Sequence, residues 1–162
     1  MWKNAVKQMG PEKTAEWKAI WDPIHYLAHA KIPVHWLAGS NDAAFSIPAL
    51  MDSFAAVPTE KSLAVKVRLP HNHSVTSEGA VELTTWADHH LRGVPLPQPV
   101  KAELDFTRDS AAAWIERKWE TVPAKLVDGK PVADIPTGAT AWYFNTYAEN
   151  GFVVSTPIKV GE

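Results

Sequence analysis

The sequence predicts an α/β layer, the tail end of a doubly wound parallel sheet, followed by a small all-β sandwich. Three observations carry that expectation. Short apolar strands alternate with amphipathic helices over the first 95 residues or so. Beyond that point the helical pattern gives way to short β-prone runs separated by turn dipeptides. Between the two lies Gly93-Val94-Pro95-Leu96-Pro97-Gln98-Pro99, whose alternating prolines suit an extended, semi-rigid linker. The expected division is therefore residues 1–95 and residues 96–162.

Within the first part, Pro11–Trp21 has helical character and Asp22-Pro23 breaks it. Ile32–Ala38 is short and apolar, bounded by Pro33 and Gly39, as a buried parallel strand would be. Ile47, Leu50, Met51, Phe54 and Val57 fall on one face of a helix over 47–57. Leu63, Val65, Val67 and Leu69 alternate, which predicts a strand over 63–69. A helix follows over 77–91, starting at Ser77-Glu78 and stopped by Gly93. In the second part, strands are expected over 101–106, 113–119, 139–147 and 152–160. Asp128-Gly129 and Asn150-Gly151 supply turns, and residues 141–158 form the clearest hairpin.

Composition narrows the function. The 162 residues are 46% hydrophobic and carry a net charge of −2, with no basic face, which argues against a nucleic-acid partner. No apolar run approaches the ~18–20 residues of a membrane span, and Met1-Trp2-Lys3-Asn4 does not open a signal peptide. With no cysteine, disulfides and thiolate metal sites are ruled out, and the compartment stays open.

The chemistry concentrates at two strand ends. Ile32–Ala38 runs into Gly39-Ser40-Asn41-Asp42, and Leu63–Leu69 runs into Pro70-His71-Asn72-His73-Ser74. Ligands of open α/β sheets bind beyond the carboxyl ends of the strands, so Asp42 and a histidine of the second loop are placed where a carboxylate could orient a general base. His73, farther from the strand, is the preferred base, and His71, directly behind Pro70, is the alternative or a site-lining residue. Asp42 could also simply make the turn and cap the next helix. His-x-His is a metal-ligand spacing too, but no carboxylate–histidine cluster surrounds the pair, so neither a metal nor a cofactor is expected. His89 and His90, adjacent on a helix, are assigned to a solvated face, and His25, His29 and His35 to structural roles.

Trp21-Asp22-Pro23, Tyr26-Leu27, the run Ile32–Asp42 and Leu69-Pro70-His71-Asn72-His73 together resemble the carboxyl-terminal half of a bacterial α/β-hydrolase. The likeness is to the acetyl xylan esterase and prolyl-oligopeptidase-like branch, and Ala139–Val160 resembles the last strands of a fibronectin-III-like module. The resemblance implies the C-terminal half of a doubly wound α/β-hydrolase sheet followed by a small all-β sandwich. It also implies cleavage of a small-molecule ester or peptide, with Asp42 orienting His73 in a Ser-His-Asp triad. No Gly-x-Ser-x-Gly elbow occurs, so the nucleophile and the amino-terminal half of the hydrolase domain are expected to lie outside this chain, which alone would be inactive. The alternative is a non-catalytic module that binds polysaccharide through Trp114, Trp119 and Trp142 of the β part.

Overall fold

The computed structural model describes residues 2–69, 71, 80–110 and 113–161, with side chains from residue 8 onward. Helix α1 (Trp2–Trp21) is two helical pieces around Gly10, whose φ of 75° lies outside the helical region. Pro11 then begins the second piece, where its missing N–H costs no hydrogen bond. A single turn, α2 (Ile24–Leu27), follows, its first N–H donating to Asp22 Oδ1 at 3.2 Å. Strand β1 (Val34–Gly39), helix α3 (Ile47–Ala56), strand β2 (Lys61–Lys66) and helix α4 (Val81–Arg92) follow among the described residues of the first part. Gly93 ends α4 in the left-handed conformation at φ 70°, its N–H returning to the carbonyls of Asp88 and His89.

Past the linker come β3 (Pro99–Thr107), a 3₁₀ turn (Trp114–Glu116), β4 (Glu120–Val127), β5 (Lys130–Val132), β6 (Ala141–Ala148), β7 (Val153–Ser155) and β8 (Lys159–Val160). Asp128 and Gly129 both have positive φ and join β4 to β5 as a two-residue hairpin turn. The strand expected over 113–119 is absent: that stretch holds the 3₁₀ turn, where the Arg117 guanidinium stacks on Trp114 at 3.7 Å, and the strand begins at Glu120. The run expected over 152–160 is divided into β7 and β8, which pair with opposite ends of β6.

The doubly wound sheet and the sandwich are both corrected. Strands β1 and β2 pair in parallel, from Val34 opposite Lys61 to Gly39 opposite Lys66, and form a sheet of two strands. The other strands make one antiparallel sheet in the order β5-β4-β3-β6-β7, with β8 also on β6, curled into a half-barrel. The reason is visible at β2. Val65 N–H donates to Ser155 Oγ at 2.7 Å and Val65 C=O accepts from Asn145 Nδ2 at 3.0 Å. Side chains of β6 and β7 thus occupy both main-chain groups of Val65, where β2 would otherwise pair with another strand.

The two sheets share one core. Ala38, Ile47, Leu50, Leu63 and Val65 pack in a cluster with Ala141, Tyr143 and Ile158. Ser62 through Val65 are all buried, so β2 is covered on both faces as a parallel strand should be. Trp114 and Trp119 stack with ring centres 6.5 Å apart, and Trp119 meets Tyr143 edge-on at 5.2 Å, against this same cluster.

Candidate functional site

The carboxyl end of β1 is where the chain's polar chemistry gathers. Gly39 is buried there, and a Cβ at this position would stand 2.3 Å from the carbonyl oxygen of Leu69. Only glycine permits that approach, which brings the segment after β2 against the segment after β1. Ser40, fully buried, donates from Oγ to Asn41 Oδ1 at 2.8 Å and accepts from the N–H of Arg68 at 3.2 Å. Asn41 then donates through Nδ2 to the carbonyls of Trp114 (3.2 Å), Ile115 (3.0 Å) and Arg117 (2.8 Å). The loop that carries Asp42 is thereby fixed on one side to β2 and on the other to the 3₁₀ turn.

Asp42 follows with its side chain only 7% exposed. Its Oδ1 accepts from the N–H groups of Ala44 (2.7 Å) and Phe45 (2.8 Å), and its Oδ2 meets His71 Nδ1 at 2.9 Å. Burial alone pushes this carboxyl up. The amide of Phe45, the imidazole of His71 and the amide of Ala44 outweigh it and hold the group below the ordinary aspartate value. Asp42 is therefore a carboxylate committed to two turn amides and one imidazole. His71 is half exposed and lies 5.2 Å from the Phe45 ring. A carboxylate that accepts from Nδ1–H leaves the lone pair of the ring on Nε2, the arrangement in which a histidine takes a proton from a hydroxyl.

The histidine found against Asp42 is thus His71, while His73 lies outside the described residues. Ser74 lies outside them as well, and Ser40 is buried with its hydroxyl occupied on both sides, so it offers no nucleophile. His35 is enclosed between Trp86 and Phe152, and burial lowers its pKa to about 4 although Glu82 works in the opposite direction. It is a neutral core residue. His25 and His29 are exposed, and His89 and His90 are half-buried rather than on a solvated face.

Asp42 and His71 border a small hollow of about 340 Å³ with Asn41, Arg68 and Ile115. They also border a larger apolar groove of about 980 Å³, to which Trp17, Trp21, Leu27, Trp36 and Leu83 contribute. The sequence reading missed the groove because its tryptophans come from separate elements, α1 and β1, whose packing no local pattern reveals. It also missed Asn41 and Gly39 as anchors, although Gly directly before a polar strand end is the signal of a close main-chain approach.

A family model described as PhoPQ-activated pathogenicity-related protein matches residues 2–127, most of the chain, and the chain belongs to that family. No curated protein and no solved structure matches it. The likeness to acetyl xylan esterases and prolyl-oligopeptidase-like α/β-hydrolases is therefore corrected, and the serine-esterase and triad labels drawn from it fall with it. The two strand-end motifs that suggested it describe an acid beside a base, which many unrelated frameworks can present.

Proposed function

We propose that this family member uses Asp42 and His71 as a general acid–base pair. His71 takes a proton through Nε2 from a hydroxyl brought against it, and Asp42 holds the ring and stabilises the imidazolium that forms. The observation that carries this is the 2.9 Å contact from His71 Nδ1 to a carboxylate already fixed by two main-chain amides. Such a carboxylate cannot swing away, so the tautomer and plane of the ring are set before anything binds.

The reaction class is attack of that hydroxyl, from water or an alcohol, on the carbonyl of a small carboxylic ester or peptide. The new C–O bond forms, the ester C–O or amide C–N bond breaks, and the His71 imidazolium returns its proton to the departing alcohol or amine. The apolar groove beside the pair suits an aromatic or aliphatic group on the substrate, buried against Trp17, Trp21 and Trp36. Polar contact would be confined to the end of the groove where Asp42 and His71 stand.

The test is the release of product from a series of aryl and alkyl esters by the 162-residue protein. A slow, histidine-dependent rate is expected, with general-base assistance of at least ~10²-fold over His71→Ala, and Asp42→Asn should lose most of it. A serine-directed phosphonate should leave Ser40 unlabelled. Equal rates for the protein and His71→Ala across the whole series would overturn the proposal.

A further inference from the structure

We propose that the last turn of α4, together with the residue that leads into β2, forms a binding site for a divalent cation of the zinc class. Glu60, His89 and His90 each present a ligating atom there, and these atoms all lie within 4.8 Å of one another. His90 Nε2 is 3.8 Å from Glu60 Oε1. A tetrahedral ion with bonds of ~2.0–2.1 Å to nitrogen and oxygen separates its ligands by ~3.3 Å, so modest side-chain rotations close the set.

Two features distinguish this cluster from a chance gathering of polar groups. His89 Nδ1 lies 2.8 Å from the carbonyl oxygen of Val94. A carbonyl only accepts, so Nδ1 carries the proton and Nε2 the lone pair. That is the tautomer a metal requires, fixed by the outer hydrogen bond that metal-binding histidines commonly make. His90 Nε2, in turn, is buried without a hydrogen-bond partner among the described residues. An unsatisfied buried nitrogen costs free energy that a metal bond would recover.

Neighbours in a helix ordinarily diverge, yet these two rings meet edge to face at 4.7 Å, both against Trp86. Trp86 holds them on one side of the helix end. The site also sits at the carboxyl terminus of α4, where main-chain carbonyls favour a positive charge. The nearest cation on the helix, Arg92, is already paired with Asp88 at 3.0 Å. Two imidazole nitrogens and one carboxylate oxygen suit zinc-class ions and disfavour magnesium and calcium, which take oxygen. A fourth position is left for water. Bound there, the ion would tie the end of α4 to the start of β2.

The experiment titrates the metal-stripped 162-residue protein with Zn²⁺, using Co²⁺ absorption to report the ligand geometry. One equivalent should bind with a dissociation constant in the micromolar range or below, the visible spectrum should be tetrahedral, and Mg²⁺ in excess should not compete. Glu60→Gln and His89→Ala should each weaken binding by at least ~10-fold. Glu60 is exposed, so its substitution reads the site without disturbing the fold. The doubly substituted His25→Ala/His29→Ala protein, which removes the exposed histidines of the α2 region, should bind as before. No binding, or binding that survives Glu60→Gln and His89→Ala unchanged, overturns the proposal. So does binding that is lost with His25 and His29.

Discussion

Polar groups are buried in both parts of this molecule, and neither part pairs all of them. In the curled sheet, both oxygens of Asp105 are bonded, one by Thr121 and one by Asn145, and the Asn145 amide is used at both ends, toward Val65, Asp105 and Ser155. In the α/β part, neither ring nitrogen of His35 has a partner among the described residues. The apolar surface divides by side-chain type: Val100, Val127 and Val160 of the β part are more than half exposed, but among the described residues no aromatic ring there is. Leu104, Phe106 and Tyr143 of the sheet are buried, whereas Trp21, Ile32, Phe45 and Leu91 of the α/β part are more than half exposed. Tyr143 Oη and Trp119 Nε1 on the sheet side are, like the His35 nitrogens, buried without a hydrogen-bond partner among the described residues. The firmer difference is that the part carrying Asp42 and His71 leaves the rings of Trp21 and Phe45 exposed beside the pair. Binding and catalytic groups commonly sit in such less-consolidated regions, supported by a rigid neighbour.

The largest effect should come from deleting sheet core. Leu104→Ala is expected to cost ~2–5 kcal/mol in denaturant unfolding, whereas Trp21→Ala should stay within ~0.5 kcal/mol. Similar losses for the two would erase the contrast. Next, Asn145→Ala leaves Val65 C=O and an Asp105 oxygen buried without their donor, at ~1–3 kcal/mol for each unsatisfied group. It should lower the stability of both parts together, since Val65 belongs to β2. Gly39→Ala forces Leu69 away from β1, and it should abolish the Asp42–His71 contact at a smaller cost in stability. The check is the loss of the hydrogen-bonded Nδ1 proton of His71 in the NMR spectrum.

The smallest effect concerns acid, which should act on the two parts in opposite directions. His35 has its pKa lowered to about 4, so between the ordinary histidine value and 4 the unfolded chain takes up a proton that the folded one refuses. Stability falls across that interval. Asp42, held below its ordinary value, contributes stability that is lost as pH drops through its folded value. Asp105 is pushed up by burial, against the bonds from Thr121 and Asn145. Its contribution is fully present in acid and fades as pH rises through its folded value. His35→Phe should flatten the decline in melting temperature between about pH 6.5 and pH 4. An unchanged profile would mean that His35 does not govern acid sensitivity.

Much of the α/β part was legible in the sequence because its signals are local. The apolar run before Gly39, the one-sided helix from Ile47 and the Gly93 stop each depend on neighbours within a few residues. The sheet was harder. β4 alternates exposed and half-buried residues and carries a proline, whereas the Trp and Ile upstream looked more strand-like and became a 3₁₀ turn. Periodicity also says nothing about whether strands close into two facing sheets or curl as one. That is decided by pairings such as β3 with β6, some forty residues apart, and by the side chains that close off β2. At the site, Asp42 was legible as a polar strand end. The preference for His73 rested on its distance from the strand, a local ground, whereas the position of His71 depends on the long-range approach at Gly39. The family was not legible, since an acid and a base after two strands is a pattern of chemistry rather than of descent.

The grip of Asn41 on the carbonyls of Trp114, Ile115 and Arg117, in and just after the 3₁₀ turn, has a consequence for anyone who would graft or trim this protein. A cut at the proline-rich linker looks natural on paper, but it would release the clamp that aims the carboxylate. The segment from Trp114 to Arg117 belongs with Asp42 as one structural part, and a chimera that exchanges the sheet must carry that turn across or lose the pair's alignment.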